Sequence, residues 1–592
     1  MRAWSSPPAP APAYDHRSRL WGGGLPHATD NGPGYKPSPD PLSDRRLWTY
    51  YRPGGDDVRD RAARSPLATL FSQVGDDLTR LSRRLSELPR LDADTLSPDW
   101  RTWEPVLRGR LQGNADITFR SLAADGQGPD GVVVYVDNLV DPELMEAGVL
   151  RPMVRGFQTS GHWLLEQVSI ADVTSSSSWA TAYQHLFAGG CLLLLPGETK
   201  LWMADVAKVP HRSIGRPETE FATRGPQEAF TEVLALQMAQ LRRSMPSPNL
   251  HIERLPLGQR IPTAVGVAWL AGVANDALID EVRRRLQAIR IDMPVNATRI
   301  AAYLRDPSTS IFPTVRSSER VDSARFHLQQ GKVLVLVDGD PFALAVPAVL
   351  TDFYRTPSDY TAPWYDASFI RLLRMVGWAL GVFLPGLYVS LTEIDPRVVS
   401  PALLILLTVS HTGLPYNPII EVLFMILTIE LLREAAVRLP SPLGVTIGTV
   451  GAIVVGTAVV KAGLVSAQII VVMTLAALSF FTAPVYELTA TWRLMALVML
   501  VAAFLYGLYG MLLGALWLSG LLIDAQSYGV PYLVPYSPWR GADVGDTLWR
   551  GPWTHLRQRL TAARAEDRQM AAPPPDGRDP GLYRENIRDD EG

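Results

Sequence analysis

The sequence predicts a soluble α/β domain at the N-terminal side, followed by an α-helical domain that crosses a membrane several times. Residues 67–368 contain short apolar runs separated by charged and turn-forming residues, which is typical of a soluble α/β protein. Residues 369–523 contain long apolar stretches with few ionisable residues between them, as membrane helices require. The mean hydropathy of +0.06 is therefore an average over two unlike parts.

Both ends of the chain are predicted to be disordered. Residues 1–66 are rich in proline and poor in aliphatic residues, so they cannot bury enough apolar surface to offset the entropy of ordering. The same segment lacks the continuous apolar run of a signal peptide. Residues 524–592 form a predicted cytoplasmic tail, whose end again carries a proline run at 573–575.

Two matching segments suggest that the soluble domain contains two related subdomains, at about 105–215 and 245–350. The apolar strand Gly131–Val136 is followed by a turn of small residues and then by a helix. Strand Val265–Leu270 aligns with it without gaps and is likewise followed by a turn of small residues and a helix. Chance similarity between short strand–turn–helix segments is the alternative to an internal duplication.

The matching segments also share their local signals. Asp141 and Asn275 are the predicted N-caps of the two helices, because short polar side chains accept hydrogen bonds from the first free N–H groups of a helix. Two later segments, 191–203 and 333–346, each read as a β-hairpin with glycine at its turn. Between the subdomains, Leu234, Met238 and Leu241 mark one face of a predicted helix over 227–245.

The predicted membrane domain contains apolar segments of unequal length. A span needs about 20 apolar residues, and we count four or five spans. The last segment, at about 45 Å of helix, is too long for one untilted span and too short for two, which indicates tilting, projection beyond the membrane or a kink near Gly507–Gly510. The segments are Leu372–Leu391, Val398–Val409, Pro418–Leu439, Leu443–Val460, Leu464–Pro484 and Leu494–Ile523.

The arginines flanking this domain predict that both termini are cytoplasmic. Positive residues concentrate on the cytoplasmic side of membrane helices, and here they precede the first span and follow the last. An even number of crossings follows, so one apolar segment is expected to be re-entrant or interfacial, either 398–409 or 418–438. The arginines are Arg371, Arg374, Arg540, Arg550, Arg557 and Arg559.

Five ionisable residues within the membrane domain are candidates for an ion pathway: Glu421, Glu430, Arg433, Glu434 and Lys461. Each costs about 2.5–3.5 kcal/mol at bilayer depth unless it is paired or faces water. Glu430 and Arg433 can pair along their helix. Glu421 has no local partner, and a ring of such carboxylates from several subunits would select cations. The alternative is an amphipathic helix at the interface, with solvated charges and no selective role.

The composition argues against several other classes of protein. The net charge of −3 gives no general attraction to nucleic acid. The single cysteine, Cys191, excludes a disulfide within the chain and any multi-cysteine zinc site. The sequence contains no P-loop and no G-x-S-x-G. We therefore expect neither catalytic residues nor a cofactor or metal.

Several long segments resemble the A subunits of spore germination receptors, the GerA family. They include RPETEFATRGPQEAFTEVLALQMAQLRR at 216–243, the segment 310–350, LPYNPIIEVLFMILTIELLREAAVRLPSPLG at 414–444 and SYGVPYLVPYSPWR at 527–540. They occur in collinear order over about 110–553. The signature residues of the soluble domain are Arg216, Pro217, Glu218, Glu220, Arg224, Gly225, Glu319, Arg320 and Asp322.

The sequence departs from this family at two points. The usual Glu-Arg-Pro-Asp stands as 319–322 with Val321 in place of proline. The usual arginine of the second apolar segment has no clear counterpart, and Ser410-His411 lies nearby. The second departure leaves the role of that arginine unassigned in this chain.

The resemblance implies a function in spore germination. A subunits lie in the spore inner membrane with a permease-like B subunit, which is thought to bind the nutrient, and a C-subunit lipoprotein. They are thought to form oligomers that conduct ions. A sister branch, the stage V sporulation protein AF, resembles A subunits and supports ion release without a nutrient of its own. A small-solute transporter is a third interpretation, disfavoured because we find no repeat in the membrane half.

Overall fold

A computed structural model describes residues 100–570 of the chain, with gaps. The terminal segments predicted to be disordered and most of the apolar segment 443–460 lie outside the described residues. The gaps are 123–130, 155–172, 196–197, 199, 209–214, 221, 223, 295, 307–309, 412, 439–456 and 553–555.

The first subdomain is a five-stranded antiparallel sheet with the strand order β1-β2-β4-β5-β3. Helices α1 and α3 pack on one face of this sheet, and a short helix α2 with its π-helical continuation Met145–Leu150 packs on the other. The elements are α1 Trp103–Leu111, β1 Ile117–Leu122, β2 Gly131–Val136, α2 Pro142–Leu144, β3 Val173–Ser176, α3 Trp179–Ala188, β4 Cys191–Leu194 and β5 Leu201–Ala204.

The second subdomain repeats this arrangement. Its sheet has the order β6-β7-β9-β10-β8, which is the same path through five antiparallel strands. The elements are α4 Leu234–Ser244, β6 Leu250–Leu257, β7 Thr263–Leu270, α5 Asp276–Ala288, α6 Ala297–Leu304, β8 Arg316–Ser318, α7 Val321–Gln329, β9 Val333–Val337 and β10 Asp340–Val346.

The two strands aligned in the sequence, β2 and β7, occupy the same position in their sheets. Asp141 accepts hydrogen bonds from the N–H groups of Glu143 and Leu144, and Asn275 accepts one from Ala277, so both predicted caps are confirmed. Both predicted hairpins are also present, as β4–β5 and β9–β10. Identical strand order is the topology that a duplicated unit would have.

Helices cover both faces of the second sheet. Val333, Val335 and Val337 of β9 pack against α5 and α6, whereas Leu334 and Leu336 pack against α4 and α7. Because successive side chains of a strand point to opposite faces, a strand covered on both sides must be apolar at every position. The uninterrupted Val-Leu-Val-Leu-Val sequence of β9 follows from this burial.

The predicted helix over 227–245 is shorter than expected, because it begins at Leu234. The preceding residues are extended and pair with the segment before α7: the N–H of Phe230 donates to the carbonyl of Glu319 at 2.7 Å, and Ala229 bridges to Arg320. Tertiary hydrogen bonds have therefore replaced the first turns of the predicted helix.

Asp116 and Arg242 join the two subdomains. Both side chains are fully buried, and the guanidinium of Arg242 donates two hydrogen bonds to the carboxylate of Asp116, at 2.8 and 2.9 Å. From the sequence, Arg242 is only a basic residue in the last turn of a helix. The structure makes it the centre of the contact between the subdomains.

The described C-terminal part of the chain is mainly helical, and two of the described helices are long and apolar enough to cross a membrane, Trp364–Ile394 and Tyr486–Asp524. The former comprises α9 with its π-helical end Ser390–Ile394. The helices are α8 Ser358–Thr361, α9 Trp364–Val389, α10 Pro401–His411, α11 Pro418–Arg438, α12 Val459–Lys461, α13 Ala467–Phe480 and α14 Tyr486–Asp524.

Helix α14 is a helical hairpin, folded back at Gly507, where the backbone has φ 61° and ψ −141°. A Cβ atom on Gly514 would lie 2.8 Å from the sulfur of Met499, although a straight helix would separate these residues by about 22 Å. Leu518 shares a core with Trp492. The predicted kink is confirmed, and the two arms measure about 31 and 25 Å.

The chain after α14 packs back on the second subdomain. A short hairpin, β11 Gln526–Ser527 with β12 Val530–Pro531, precedes α15 Gly541–Val544. The N–H of Leu350 donates to the carbonyl of Tyr532 at 2.9 Å, and that of Glu566 donates to Val273 at 3.0 Å. The described part of the tail is thus ordered against the soluble domain.

Candidate functional site

The signature residues form a hydrogen-bonded structure along the second subdomain. The carboxylate of Glu319 accepts hydrogen bonds from the backbone and hydroxyl groups of Thr219 and from the N–H of Glu220, and these bonds hold its pKa below the usual range. Arg320 donates two hydrogen bonds to Asp322, at 2.7 and 3.0 Å. These hydrogen bonds hold the segment 216–230 against the start of α7.

The signature residues differ in exposure. Pro217 is buried, whereas Arg216, Glu218 and Arg224 are exposed. Gly225 has a φ of +97°, in the left-handed region that glycine tolerates best. The side chains of Arg216 and Arg224 make no ion pair among the described residues, whereas the backbone of Glu218 hydrogen-bonds to Glu319.

A buried ion-pair network lies where the soluble domain meets the helices. We call it the junction network; its members are Lys332, Asp352, Arg355, Asp359, Arg371, Arg374 and Asp546. They come from the start of β9, the segment after β10, helices α8 and α9, and the chain after α15. The network therefore ties the second subdomain, the first long apolar helix and the tail to one another.

Asp352 is the centre of the soluble side of the network. Its carboxylate contacts the ammonium of Lys332 at 2.5 Å and the guanidinium of Arg355 at 2.6 Å, with all three groups buried. Burial lowers the pKa of Lys332 to about 8, although Asp352 opposes this shift. The two cations hold the pKa of Asp352 well below its usual range, against the effect of burial.

Asp359 and Asp546 are the carboxylates that pair with the arginines of helix α9. Arg371 contacts both carboxylates, at 3.0 Å and 3.3 Å, and Arg374 contacts Asp359 at 2.9 Å. The phenol of Tyr360 donates to Asp546 at 2.9 Å. Arg371 and Arg374 were expected as flanking charges that set orientation, but the structure pairs both with carboxylates inside the protein.

The second apolar region contains a buried chain of polar groups around Glu421. Its carboxylate lies 3.1 Å from Nδ1 of His411 and accepts the N–H of Ser466 at 2.8 Å. The hydroxyl of Tyr388 lies 3.0 Å from the other nitrogen of His411. Glu421 is fully buried. Its partners do not come from its own helix: the chain folds so that the end of α10 and the start of α13 meet α11.

The remaining ion-pathway candidates are more exposed. Glu430 contacts Arg433 at 2.6 Å, as predicted, and also Arg493 at 2.8 Å. Arg493 lies two turns inside α14, which begins at Tyr486. Glu434 and Lys461 are exposed. The structure brings Glu430 and Arg433 together and keeps them apart from the Glu421 chain.

The carboxylates of the β9–β10 turn have structural roles. Asp338 accepts the N–H of Leu234 at the start of α4, and Asp340 accepts that of Ala297 at the start of α6. In the described ranges, no three His, Cys, Asp or Glu side chains are grouped as ligands for a metal ion.

The aromatic segment 528–536 packs against the α/β domain. Tyr532 is fully buried against Phe312 and Phe353 of the soluble domain, with ring centroids 5.8 and 6.3 Å apart. Trp539 and Trp549 are exposed. Among the described residues that follow this segment, these two tryptophans have the exposure expected of side chains at a membrane interface.

No pattern in the sequence predicted the junction network. Lys332 and Asp352 are single charges beside apolar segments, and Asp546 lies in a tail that was treated as unstructured at its end. A lone lysine directly before the apolar strand β9 is the one local signal that could have indicated a buried ion pair.

Comparisons with known proteins identify close similarities. Residues 106–562 match the sequence model of the family described as "Bacillus/Clostridium GerA spore germination protein". Spore germination protein B1 of Bacillus subtilis is 33% identical over 471 residues, covering 78% of this chain and 96% of that protein. Spore germination protein GerQA of Bacillus cereus is 37% identical over 366 residues, covering 62% and 73%.

Two further matches concern the membrane and the soluble domain. YfkQ of Bacillus subtilis, named an uncharacterized membrane protein, is 30% identical and covers 76% of this chain and 88% of that protein. The crystal structure of the N-terminal domain of the A subunit of the Bacillus megaterium spore germinant receptor GerK3 is 24% identical, covering 43% of this chain and 97% of that one. Its TM-score of 0.34 is too low to support an argument about the fold.

Proposed function

Because the chain belongs to the Bacillus/Clostridium GerA family of spore germination proteins, we propose that it is the A subunit of a germination receptor in the spore inner membrane. It acts with a permease-like B subunit and a lipoprotein C subunit, and couples nutrient sensing by its partner to cation release. It forms a homo-oligomer whose helical domains enclose the ion path.

The junction network is the observation that carries this proposal. A receptor subunit must transmit a change in its soluble domain to its membrane helices, and the two must therefore be joined rigidly. Buried ion pairs at 2.5–3.4 Å link Lys332 of the second subdomain to Arg371 of α9, through Asp352, Arg355 and Asp546 in turn. A partner that binds one arrangement of this junction more tightly than another shifts the population of channel states.

The described helices support the proposal that both termini lie on the cytoplasmic side of the membrane. Helix α9 begins beside the soluble domain, and the hairpin α14 both begins and ends there, with Thr491 bonded to Ile311 and Tyr532 bonded to Leu350. A hairpin contributes an even number of crossings. This agrees with the distribution of arginines on which the orientation rests.

Glu421 is the ion-path residue that we propose. A buried carboxylate is expensive at bilayer depth and is retained where it has a task. In this protomer both of its oxygens are engaged, by His411 and by the N–H of Ser466. Release of these contacts on opening presents a carboxylate to the path, and one from each subunit forms a cation-selective ring.

Cation flux from liposomes containing the purified protein alone tests the proposal. A receptor subunit that needs its partners is expected to show no flux until the B and C subunits are added. Robust flux from the folded, oligomeric protein alone would instead favour a channel of the stage V AF type, which amplifies germination without its own nutrient. Substrate uptake without ion release would favour a small-solute transporter.

Glu421→Gln tests the ion path. The isosteric amide removes the charge and is expected to lower cation flux and germination while the protein level stays normal. Glu434→Gln is the matched control, since it makes the same change on the exposed side of the same helix. Normal flux in Glu421→Gln would remove this residue from the path, and loss of flux only in Glu434→Gln would place the path along the exposed face.

A further inference from the structure

A cavity lies among four helices of the helical domain. It has a volume of about 280 Å³ and is lined by residues of α9, α11, α13 and α14. Its wall is mostly apolar and includes Pro385, Ile426, Met473 and Phe480. Cavities that hold a whole small ligand have volumes of about 300–1,000 Å³. This one is just below that range and has room for part of one acyl chain.

Three charged side chains share the wall of this cavity. Glu430 contacts Arg433 at 2.6 Å and Arg493 at 2.8 Å, so two guanidinium groups share one carboxylate. The charged lining therefore carries one net positive charge. Nε of Arg493 is buried and has no hydrogen-bond partner among the described residues. An anionic oxygen would balance the charge and accept from guanidinium donors.

The charged end of the cavity faces the soluble domain. Arg493 lies about 10 Å along α14 from Tyr486, and Glu487 beside that start accepts a hydrogen bond from Ser317 of β8. Arg493 therefore lies about two turns from the end of α14 that contacts the second subdomain.

The apolar part of the cavity extends away from that end. Ile426 lies one turn from Glu430 towards the start of α11, where Asn417 bonds to Glu393 at the opposite end of the helices. Pro385 lies beyond the middle of α9. The cavity thus has arginines at head-group depth and an apolar wall below them.

We propose that this cavity binds one acidic phospholipid, with its phosphate on Arg433 and Arg493 and part of one acyl chain against the apolar wall. A basic pocket between membrane helices on the cytoplasmic side favours acidic head groups. A zwitterionic lipid has no net charge to compensate the second arginine. The inference rests on the helical domain lying in a membrane, but not on its conducting ions.

Thermal unfolding of the delipidated full-length protein in detergent tests this site. Phosphatidylglycerol is expected to raise the unfolding temperature in a saturable way, whereas phosphatidylcholine at the same concentration is not. Inorganic phosphate separates the lipid from the free anion. An equal shift with both lipids, or a shift with phosphate as large as with phosphatidylglycerol, would overturn the proposal. None of these readouts depends on ion flux.

Arg493→Gln supplies the matched variant. It is expected to weaken phosphatidylglycerol binding about fivefold, which corresponds to the ~1 kcal/mol that one arginine contributes near an acidic membrane surface. Arg433→Gln serves if that variant does not fold. Arg397→Gln removes the same charge from an exposed residue at the other end of the helical domain and should bind like the parent protein. Equal weakening in Arg397→Gln would refute the assignment.

Discussion

Gly507→Ala is expected to destabilise the α14 hairpin, because the turn at this residue requires glycine. The backbone at φ 61° and ψ −141° lies in a region that residues with a Cβ atom occupy only under strain. The new Cβ atom would lie 2.0 Å from a carboxylate oxygen of Asp395 and 2.8 Å from a methyl group of Ile394. At least one of these side chains must move.

The displaced carboxylate has a structural task at this turn. Asp395 accepts the N–H of Leu508 at 2.8 Å and the hydroxyl of Ser390 at 3.2 Å. The backbone strain costs about 1–3 kcal/mol, and a buried donor left without its acceptor costs about 1–3 kcal/mol more. We therefore expect Gly507→Ala to lose roughly 2–6 kcal/mol in the free energy of unfolding of the hairpin.

Thermal unfolding in detergent measures this loss, and Gly520→Ala is the control. Gly520 lies in the returning arm of the same hairpin, and a Cβ atom there meets nothing within 4 Å. Alanine in that helical position should stabilise by about 0.5–1 kcal/mol. Equal unfolding temperatures for Gly507→Ala and the parent protein would refute the strain argument.

The distance between spin labels at Leu494 and Leu516, which are both exposed, tests the hairpin itself. In a straight helix these positions would be about 33 Å apart. In the hairpin they lie on neighbouring arms, whose axes are typically about 8–10 Å apart when helices pack. A distance near that of the straight helix in the parent protein would show that α14 does not fold back.

Two further predictions concern buried charged and titratable groups of the second subdomain. Asp352→Asn leaves the buried cations Lys332 and Arg355 without their shared carboxylate and should cost about 3–5 kcal/mol in the free energy of unfolding. The control Asp280→Asn, on the surface, should change the free energy of unfolding by less than about 1 kcal/mol, and similar losses in both variants would contradict the role of burial. Burial and the nearby Lys332 hold the pKa of His327 well below 6.5, so the unfolded chain takes up a proton below that pH that the folded chain does not, and stability should fall as the pH drops below 6.5. His327→Gln should flatten this fall in denaturant titrations at several pH values, and an unchanged slope would show that another group is responsible.

Local patterns predicted the elements whose formation depends on short-range physics. Strand β2 has the predicted bounds, Gly131–Val136, and β9 has Val333–Val337, because a short run of mostly β-branched apolar residues suits a strand that is covered on both faces. Asp141 and Asn275 cap their helices as predicted, since a cap depends on two or three neighbouring residues.

The contacts that local patterns did not predict involve partners distant in the sequence. Helix α4 loses its first turns because Phe230 pairs with Glu319. Glu421 has a partner because Ser466, from the start of another helix, donates to it. No helical periodicity or local spacing contains such contacts, so they could not be predicted from one sequence.

By itself, the sequence determined that this protein has a soluble α/β part and an apolar helical part, that its soluble strands and caps lie where they do, and that it resembles germination receptor subunits. Only the tertiary structure decided how the parts are joined. Lys332, Asp352, Arg371 and Asp546 are spread over more than a third of the chain, yet they form one buried network. A charge can be buried only where folding brings an opposite charge to it, and that meeting is a property of the whole fold.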